Sequence, residues 1–326
     1  MDVNKRPEKL ISSWAYHNKP GKPDYVIGNL PPGKVGLLVA AGGVGKTYLT
    51  LQILYSVARP ENYEWPVGDG IIQTPGGSGK VLALLGEEDF DTIHLRMHSI
   101  LQVASKKWKN QIEMALEVWD EKIEVDCLAG TIPTLIDSEG NATDNFYRLI
   151  EKGKGCRLIV IDPLARFHQI DENDNVKMTM LVQRLEFIAK KTGAAVLVCH
   201  HSNKQGIGKE EGTDQQSARG ASALTDGVRY QIGMRMMTRF EAKSRWDHDA
   251  DIERKSWVYI EESKNNYGPA RIACWARRLE SGVLARDDPP AAKDPLSKLS
   301  GNKNGNGKEN KENKKEELPE WLKGIV

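Results

Sequence analysis

The sequence predicts an α/β fold in which a mostly parallel central sheet is extended by antiparallel strands towards its C-terminal end. Three observations support this fold class. An apolar run over residues 35–39 leads through a glycine-rich turn into a helical pattern. Apolar runs of strand length then alternate with helical patterns as far as residue 199, as in a parallel sheet whose strands are joined by helices. Beyond residue 220 the pattern changes: over residues 228–236 apolar residues alternate with polar residues or glycine, which is typical of antiparallel strands.

The first strand-to-helix connection carries a phosphate-binding motif. Residues 40–47 read A-A-G-G-V-G-K-T, which matches the pattern G-x-x-x-x-G-K-[ST] except that alanine replaces the first glycine. Glycines allow backbone N–H groups to point at phosphate oxygens, and the N-terminus of the helix over 48–58 faces the same anion. Lys46 is expected to reach the β- and γ-phosphates, and the Thr47 hydroxyl to bind Mg²⁺. The motif therefore predicts a nucleoside triphosphate held by Ala40, Gly42, Gly43, Val44, Gly45, Lys46 and Thr47.

Four further apolar runs predict the remaining strands of the parallel sheet. Helical patterns separate most of them; over 178–191, for example, apolar residues share one face of a helix. Ligands of such sheets bind outside the carboxyl ends of the strands, so the residues just after each strand are the candidates for chemistry. The strands are predicted at Val81 to Leu85, Lys122 to Cys127, Arg157 to Ile161 and Ala194 to Cys199.

Two acidic residues, Glu87 and Glu88, follow the strand that ends at Leu85. A carboxylate beside the phosphate loop can orient and deprotonate the water that attacks a γ-phosphate. Glu88 is the candidate for this base and Glu87 the alternative, whereas a solvated turn is the reading without catalysis. Asp89 and Asp91 are both candidates to cap the helix that follows, at Thr92 to Leu101, and Asp91 is the one expected to do so.

The next strand ends are also polar. Asp162 follows the strand that ends at Ile161, in the position where phosphate-loop proteins hold Mg²⁺ through water. His200 and His201 follow the strand that ends at Cys199. Adjacent strand residues point to opposite faces, so one metal ion would not easily bind both histidines. Two interpretations remain: one of the histidines donates a hydrogen bond to the γ-phosphate, or both have a purely structural role.

The alternating segment after residue 220 predicts a strand with one polar, basic face. Arg229 lies on that face. Such an arginine either forms a structural ion pair or, given by a neighbouring subunit, stabilises the transition state of phosphoryl transfer. Further strands are predicted at Ser256 to Ile260 and Arg271 to Arg277, and together they predict antiparallel hairpins.

Length and composition limit the possible domain number, partners and compartment of the protein. With 326 residues the chain can hold one large α/β domain with appendages, and a net charge of +1 shows no global basic field that would announce nucleic acid. The four cysteines form no C-x-x-C pair and fit buried thiols in a reducing compartment. No apolar stretch approaches the ~20 residues of a membrane span, and no signal-like segment follows Met1, so we expect a cytoplasmic protein without a membrane partner.

Three regions are expected along the chain. Residues 1–30 form a polar lead-in, residues 31–286 the nucleotide-binding domain, and residues 287–326 a polar tail. The tail is expected to be disordered, because its Asn-, Gly-, Lys- and Glu-rich stretch over 300–317 contains no apolar residue and cannot bury enough surface to fold alone.

With these motifs assembled, the chain resembles the RepA-type hexameric replicative helicases of broad-host-range plasmids, within the RecA-like P-loop ATPases. The resemblance covers residues 24 to 285 and rests on an ordered series of motifs. The series comprises Asp24-Tyr25-Val26, the phosphate loop, Glu88-Asp89 with His94 and Arg96, Arg157 to Asp162 with Arg166-Phe167-His168, His200-His201, Asp214 to Gly220, Arg229, and Ser263 to Gly268.

The resemblance implies a ring of six subunits with ATP at their interfaces and single-stranded DNA as substrate. The DNA contacts are expected from residues 163–176 and 203–217, with Lys204 and Lys209 binding DNA phosphates. A replication initiator or a primase is a candidate partner. By resemblance, the roles are Lys46 and Thr47 as phosphate and Mg²⁺ ligands, Glu88 as catalytic base, Asp162 as Mg²⁺ partner, His200 as γ-phosphate sensor, Arg229 as arginine finger and Arg96 as a basic residue near the nucleotide.

Three functions compete on the sequence alone. A DNA helicase would hydrolyse ATP to move single-stranded DNA through the ring. A RecA-like recombination or loader ATPase would use ATP as a DNA-binding switch without separating strands. A catalytically weak assembly or regulatory protein is the third. DNA-stimulated, multi-turnover hydrolysis with strand displacement distinguishes the first from the other two.

Overall fold

The computed structural model describes residues 9, 12–60, 63, 67–68, 70–107, 112–201, 222–270 and 272–293. The strands of this part of the chain are β1 (Val35–Ala40), β2 (Lys80–Leu85), β3 (Ile123–Cys127), β4 (Cys156–Asp162), β5 (Ala195–His201), β6 (Tyr230–Met236), β7 (Trp257–Asn265), β8 (Ala273–Arg278) and β9 (Leu284–Arg286). Its helices are α1 (Ser12–His17), α2 (Lys46–Ala58), α3 (Phe90–Lys107), α4 (Ile112–Lys122), α5 (Asp144–Lys152), α6 (Asn175–Thr192), α7 (Ser222–Gly227), α8 (Arg239–Lys243) and α9 (Ala250–Glu253).

The strands form one sheet in the order β3-β2-β4-β5-β1-β6-β7-β8-β9. Strands β1 to β6 pair in parallel, and β6 to β9 pair antiparallel. The predicted α/β fold with a C-terminal antiparallel extension is therefore confirmed. Strand β1 lies inside the sheet between β5 and β6, so the phosphate loop that follows it emerges near the middle of the carboxyl edge.

Each face of the sheet carries its own apolar core, because successive strand residues point to opposite faces. On one face, Leu38 of β1 packs with Leu49 and Tyr55 of helix α2. On the other face, Leu37 of β1 packs with Leu185 of helix α6 and with helix α5. Burial on both sides explains why the central strands read as continuous apolar runs rather than as alternating ones.

A small third core covers the outer face of the antiparallel strands. Helices α8 and α9 lie between β6 and β7 in the chain, and Met237, Ala242 and Trp257 are buried together there. The prediction of a polar, basic face on β6 was wrong for most of the strand, because Gln231 on that face is fully buried and Arg235 forms an ion pair of 2.7 Å with Glu241.

One local expectation from the sequence, the cap of helix α3, was wrong. Helix α3 begins at Phe90 and is capped by Asp89, whose Oδ1 accepts a hydrogen bond of 2.8 Å from the Thr92 N–H, so Asp91 lies inside the first turn and is not the cap. Residues 163–176, from which DNA contacts are expected, are anchored to the domain, because Phe167 and Ile170 are buried in the second core. A segment anchored in this way holds its polar side chains in place.

The lead-in region is partly packed on the domain. Val26, Ile27 and Leu30 are buried in the first core, and Asp24 forms an ion pair with Arg157 of β4, whereas helix α1 buries no residue. Residues 203–217 and residues 294–326 of the polar tail lie outside the described residues. Among the helices that the structure describes, none combines the length and the apolar character needed to cross a membrane.

Candidate active site

The phosphate loop connects the buried end of β1 to the start of helix α2. Gly43 and Gly45 have φ angles of 76° and 106°, which are left-handed values that favour glycine. Within the described residues Asp249 is the one non-glycine residue with positive φ, so Ala40 has a backbone conformation open to alanine. The departure from the usual motif therefore leaves the shape of the loop intact.

Lys46, the first residue of helix α2, is buried beside the acid that ends β4. Its Nζ lies 3.2 Å from Oδ1 of Asp162, and the two side chains are only 7% and 5% exposed. The other oxygen of Asp162, Oδ2, is buried without a hydrogen-bond partner. Because a buried charge needs a partner, the pair indicates that Lys46 and Asp162 neutralise each other until phosphate enters.

Glu88 contacts Thr47, the other residue predicted to bind Mg²⁺. The Thr47 hydroxyl donates a hydrogen bond of 3.5 Å to Oε1 of Glu88, and Nη1 of Arg96 donates to the same oxygen. Arg96 also lies over the ring of Tyr48, 5.7 Å from its centroid. The structure thus brings Glu88 and Arg96 to the loop, with the candidate base held by the basic residue.

Glu87 has different partners. Its Oε1 accepts from Nε of Arg166 at 3.1 Å, and its Oε2 lies 3.9 Å from Nε2 of His201. Glu87 is 42% exposed, and its contacts are with Arg166 of the segment 163–176 and with His201. Geometry therefore favours Glu88 over Glu87 as the base, because Glu88 is the acid in contact with the predicted Mg²⁺ ligand.

The two histidines at the end of β5 lie in different environments. His201 contacts the site, since its Nε2 is 3.5 Å from Nζ of Lys46. His200 points to the other face and is buried, and burial together with the charge of Lys46 lowers its pKa to about 4. The role of His200 as a γ-phosphate sensor stays a prediction. The histidine whose side chain contacts Lys46 is His201.

The site residues fit a nucleotide with bound Mg²⁺. A threonine hydroxyl and a carboxylate are hard oxygen ligands of the kind that Mg²⁺ prefers. The unpartnered Oδ2 of Asp162 offers an acceptor for a Mg²⁺-bound water. Thr47 and Asp162 are thus the residues that would hold the ion.

Arg229 is not part of this cluster. Strand β6 runs parallel to β1 with Met234 opposite Ala40, so Arg229, five residues earlier, lies roughly 17 Å away along the strand at the opposite edge of the sheet. Its side chain is exposed, and its backbone carbonyl accepts a hydrogen bond from the Asn266 N–H. A finger role for Arg229 would need a nucleotide held by another subunit.

One residue at the loop was missed by sequence reasoning. Arg278, the last residue of β8, donates a hydrogen bond from Nη2 to the backbone carbonyl of Val44. No local motif marks this arginine, because the contact joins residues 234 positions apart.

Two solved structures share this fold. One is described as an ATPase domain; it is 14% identical, the match covers 80% of this chain and 86% of that chain, and the TM-score is 0.52. The other is a DnaB-like replicative helicase described with its interactions with primase; it is 14% identical, the match covers 79% of this chain but 58% of that chain, and the TM-score is 0.54. At such low identity the likeness shows the RecA-like fold alone.

The family assignment rests on the sequence match. Residues 5–206, well over half of the chain, match the model of the AAA domain family AAA_25. The matched segment includes the phosphate loop, Glu88 and Asp162, whose side chains meet at the carboxyl edge of the sheet. The chain therefore belongs to this AAA domain family and is an ATPase.

Proposed function

We propose that the protein is an ATP-dependent DNA helicase or translocase. It acts as a ring hexamer on single-stranded DNA in the replication of a plasmid or mobile element, in the manner of RepA-type helicases. The observation that carries this proposal is the separation of the catalytic groups. Lys46, Glu88 and Asp162 meet at one edge of the sheet, whereas Arg229 lies at the opposite edge. Subunits arranged head to tail would bring the two edges together around ATP.

The fold comparisons support the same function. The two similar structures are an ATPase domain and a DnaB-like replicative helicase, and the second is described with primase. A primase, or the initiator that recruits a helicase to an origin, is accordingly the proposed protein partner.

Within the site, nucleotide entry exchanges ion pairs. Lys46 would exchange Asp162 for the β- and γ-phosphates, and Thr47 and Asp162 are the residues that would hold Mg²⁺. Bound Mg²⁺ neutralises the charge of the phosphates. Arg96 moves from Glu88 to the phosphates, and Glu88 becomes available to accept a proton from the attacking water. Glu88 is therefore paired with Arg96 and cannot act as a base until the nucleotide phosphates bind Arg96 instead.

DNA binding would affect the site through Glu87, the acid next to Glu88. Arg166 is 59% exposed on the segment 163–176, and it binds Glu87 beside the catalytic cluster. A DNA phosphate that attracted Arg166 would release Glu87, which also faces His201. Lys204 and Lys209 remain proposed DNA-binding residues and lie outside the described residues.

The test combines a mass measurement with a strand-displacement assay. Native mass spectrometry with ATP should show a species of six chain masses, and a labelled strand should be displaced from a forked duplex with ATP hydrolysis that rises on DNA addition. ATP-dependent DNA binding without displacement would instead identify a recombination or loader ATPase. Hydrolysis that DNA does not stimulate would identify an assembly or regulatory protein.

A further inference from the structure

The antiparallel hairpin formed by β8 and β9 is fastened to the helix that follows the phosphate loop. The Tyr48 hydroxyl donates to the carbonyl of Ser281, and the side-chain amide of Gln52 bonds both the carbonyl and the N–H of Leu284, at 2.8 and 3.2 Å. At Gly282, whose φ is 88°, a Cβ would lie 2.5 Å from the Tyr48 ring. The hairpin therefore has one fixed position on the first turns of α2.

This attachment places the guanidinium of Arg278 behind the phosphate loop. Its Nη2 donates to the carbonyl of Val44, while its Nε is buried without a hydrogen-bond partner. Desolvation lowers the pKa of this guanidinium, and the described residues provide no carboxylate that offsets the effect. Within the part of the chain that the structure describes, a half-buried cation without an ion-pair partner thus lies beside a loop built to bind an anion.

The hydrogen bond also fixes the orientation of one peptide unit. A trans peptide is planar, so its C=O and its N–H point in opposite directions. Because the Val44 carbonyl points to Arg278, the N–H of Gly45 must point away from it. Backbone N–H groups of this loop are the donors to phosphate oxygens, and a flipped peptide would place a carbonyl there instead.

We propose that Arg278 is a positioning residue for nucleotide binding. It holds the Val44–Gly45 peptide in the phosphate-binding orientation, and its charge favours a polyphosphate in the loop. The proposal rests on the nucleotide site of the proposed function but not on DNA unwinding. It also places part of the site outside residues 5–206, the segment that matches the family model.

The positive charge of Arg278 predicts which nucleotides depend on it most. An unpaired cation in a partly desolvated place is stabilised when an anion arrives, and the gain exists only in the bound state. Removal of Arg278 should therefore weaken ATP and ADP more than AMP, which has a single phosphate.

The test measures dissociation constants of fluorescent ATP, ADP and AMP analogues for Arg278→Ala. We expect ADP and ATP to bind about tenfold more weakly or worse, as for the loss of a hydrogen bond to a charged group. The matched control is Arg277→Ala, because Arg277 is the preceding residue on the opposite face of β8 and lies over the Trp257 ring. The control should bind nucleotides as the wild type does.

Thermal unfolding without nucleotide separates positioning from general stability. If Arg278→Ala binds ADP normally, or if Arg277→Ala weakens ADP equally, the proposal is wrong. Should Arg278→Ala fail to fold, Arg278→Lys and Arg278→Gln replace it. The lysine variant keeps the charge and must bind ADP more tightly than the glutamine variant, and equal affinities would contradict the proposal. A wild type that binds ADP but displaces no strand would refute the helicase function and leave this test valid.

Discussion

At the scale of single residues, Lys46 is the most constrained group of the site. Its ammonium is held by Asp162 at 3.2 Å and by His201 at 3.5 Å. The phosphates of a nucleotide would replace both partners, so the free protein keeps the lysine buried and paired until the ligand binds.

Replacement of Lys46 by alanine should reduce ATP hydrolysis to the background of the assay. The cation that offsets the charge on the γ-phosphate is then missing. Hydrolysis is measured by phosphate release, and circular dichroism checks that the variant is folded. Unchanged turnover in a folded variant would refute the phosphate-loop assignment.

Glu88→Gln should separate binding from chemistry. The amide keeps the size of the side chain but cannot accept the proton, so hydrolysis should fall by about 10²- to 10⁴-fold while ATP still binds. Glu87→Gln is the matched control, because Glu87 is the adjacent acid and contacts Arg166 rather than Thr47. Normal hydrolysis by Glu88→Gln would transfer the role to Glu87.

His200 should make the protein less stable in mild acid. Its pKa is about 4 in the folded chain, below the ordinary value of 6.5, so the unfolded chain binds the proton more readily. The stabilisation is present above pH 6.5 and is lost as the pH falls towards 4, by about 2 kcal/mol between pH 7 and pH 5. Urea unfolding at both pH values measures this loss. A folded His200→Asn variant should show a smaller loss, and an equal loss would refute the assignment to His200.

At the scale of secondary-structure elements, the sequence predicts most of the fold but little of what joins distant parts. The central parallel strands β1, β2, β4 and β5 are nearly continuous apolar runs, so their existence and their polar ends could be predicted. Strand β9 has three residues, too few for a periodic signal. Asp89 and Asp91 are equally good caps by residue type, so the start of α3 at Phe90, with Asp89 as its cap, could not be predicted to the residue.

Some residues of the candidate site could likewise be predicted from the sequence, and others could not. Glu88 and Asp162 could be predicted because each directly follows a strand, and parallel strands bring their carboxyl ends to one edge. The pairing of Arg96 with Glu88, the choice of His201 and the contact of Arg278 could not. They depend on side-chain directions and on contacts between elements far apart in the chain.

The segment 203–217 carries the DNA prediction at this scale. Replacement of both Lys204 and Lys209 by alanine should weaken binding to single-stranded DNA and reduce the salt slope by about 0.7 for each DNA phosphate that is no longer neutralised. The matched control replaces Lys190 and Lys191, two exposed lysines at the end of α6. Binding is measured by fluorescence anisotropy over a range of salt concentrations. If the two double variants have the same slope, these lysines do not contact DNA.

At the scale of the whole molecule, the position of Arg229 requires a neighbour if it acts in catalysis. The residue lies at the edge of the sheet opposite its own phosphate loop. An arginine that stabilises the transferring phosphoryl group can be worth about 10³ to 10⁵ in rate, so its loss should be nearly as severe as that of Lys46.

Mixing two inactive variants tests action between subunits. An Arg229→Ala subunit keeps its own Lys46, and a Lys46→Ala subunit keeps its own Arg229. Mixed rings should contain interfaces with both groups intact, so ATP hydrolysis should partly return when the two proteins exchange subunits. Native mass spectrometry of isotope-labelled chains verifies the exchange. If exchange occurs without recovery of hydrolysis, Arg229 acts within its own subunit or is only structural.

The central place of β1 also affects how the chain is made. Strand β1 ends at Ala40, but its neighbours β5 and β6 begin at Ala195 and Tyr230. A ribosome that adds about 5 to 20 residues per second needs about 8 to 30 s to reach the first of these partners, roughly 150 residues later. Throughout that time β1 is an apolar strand with two unpaired edges, which is the kind of segment that aggregates or binds chaperones. Correct folding of the sheet therefore requires that β1 is kept from aggregating until β5 and β6 have been synthesised.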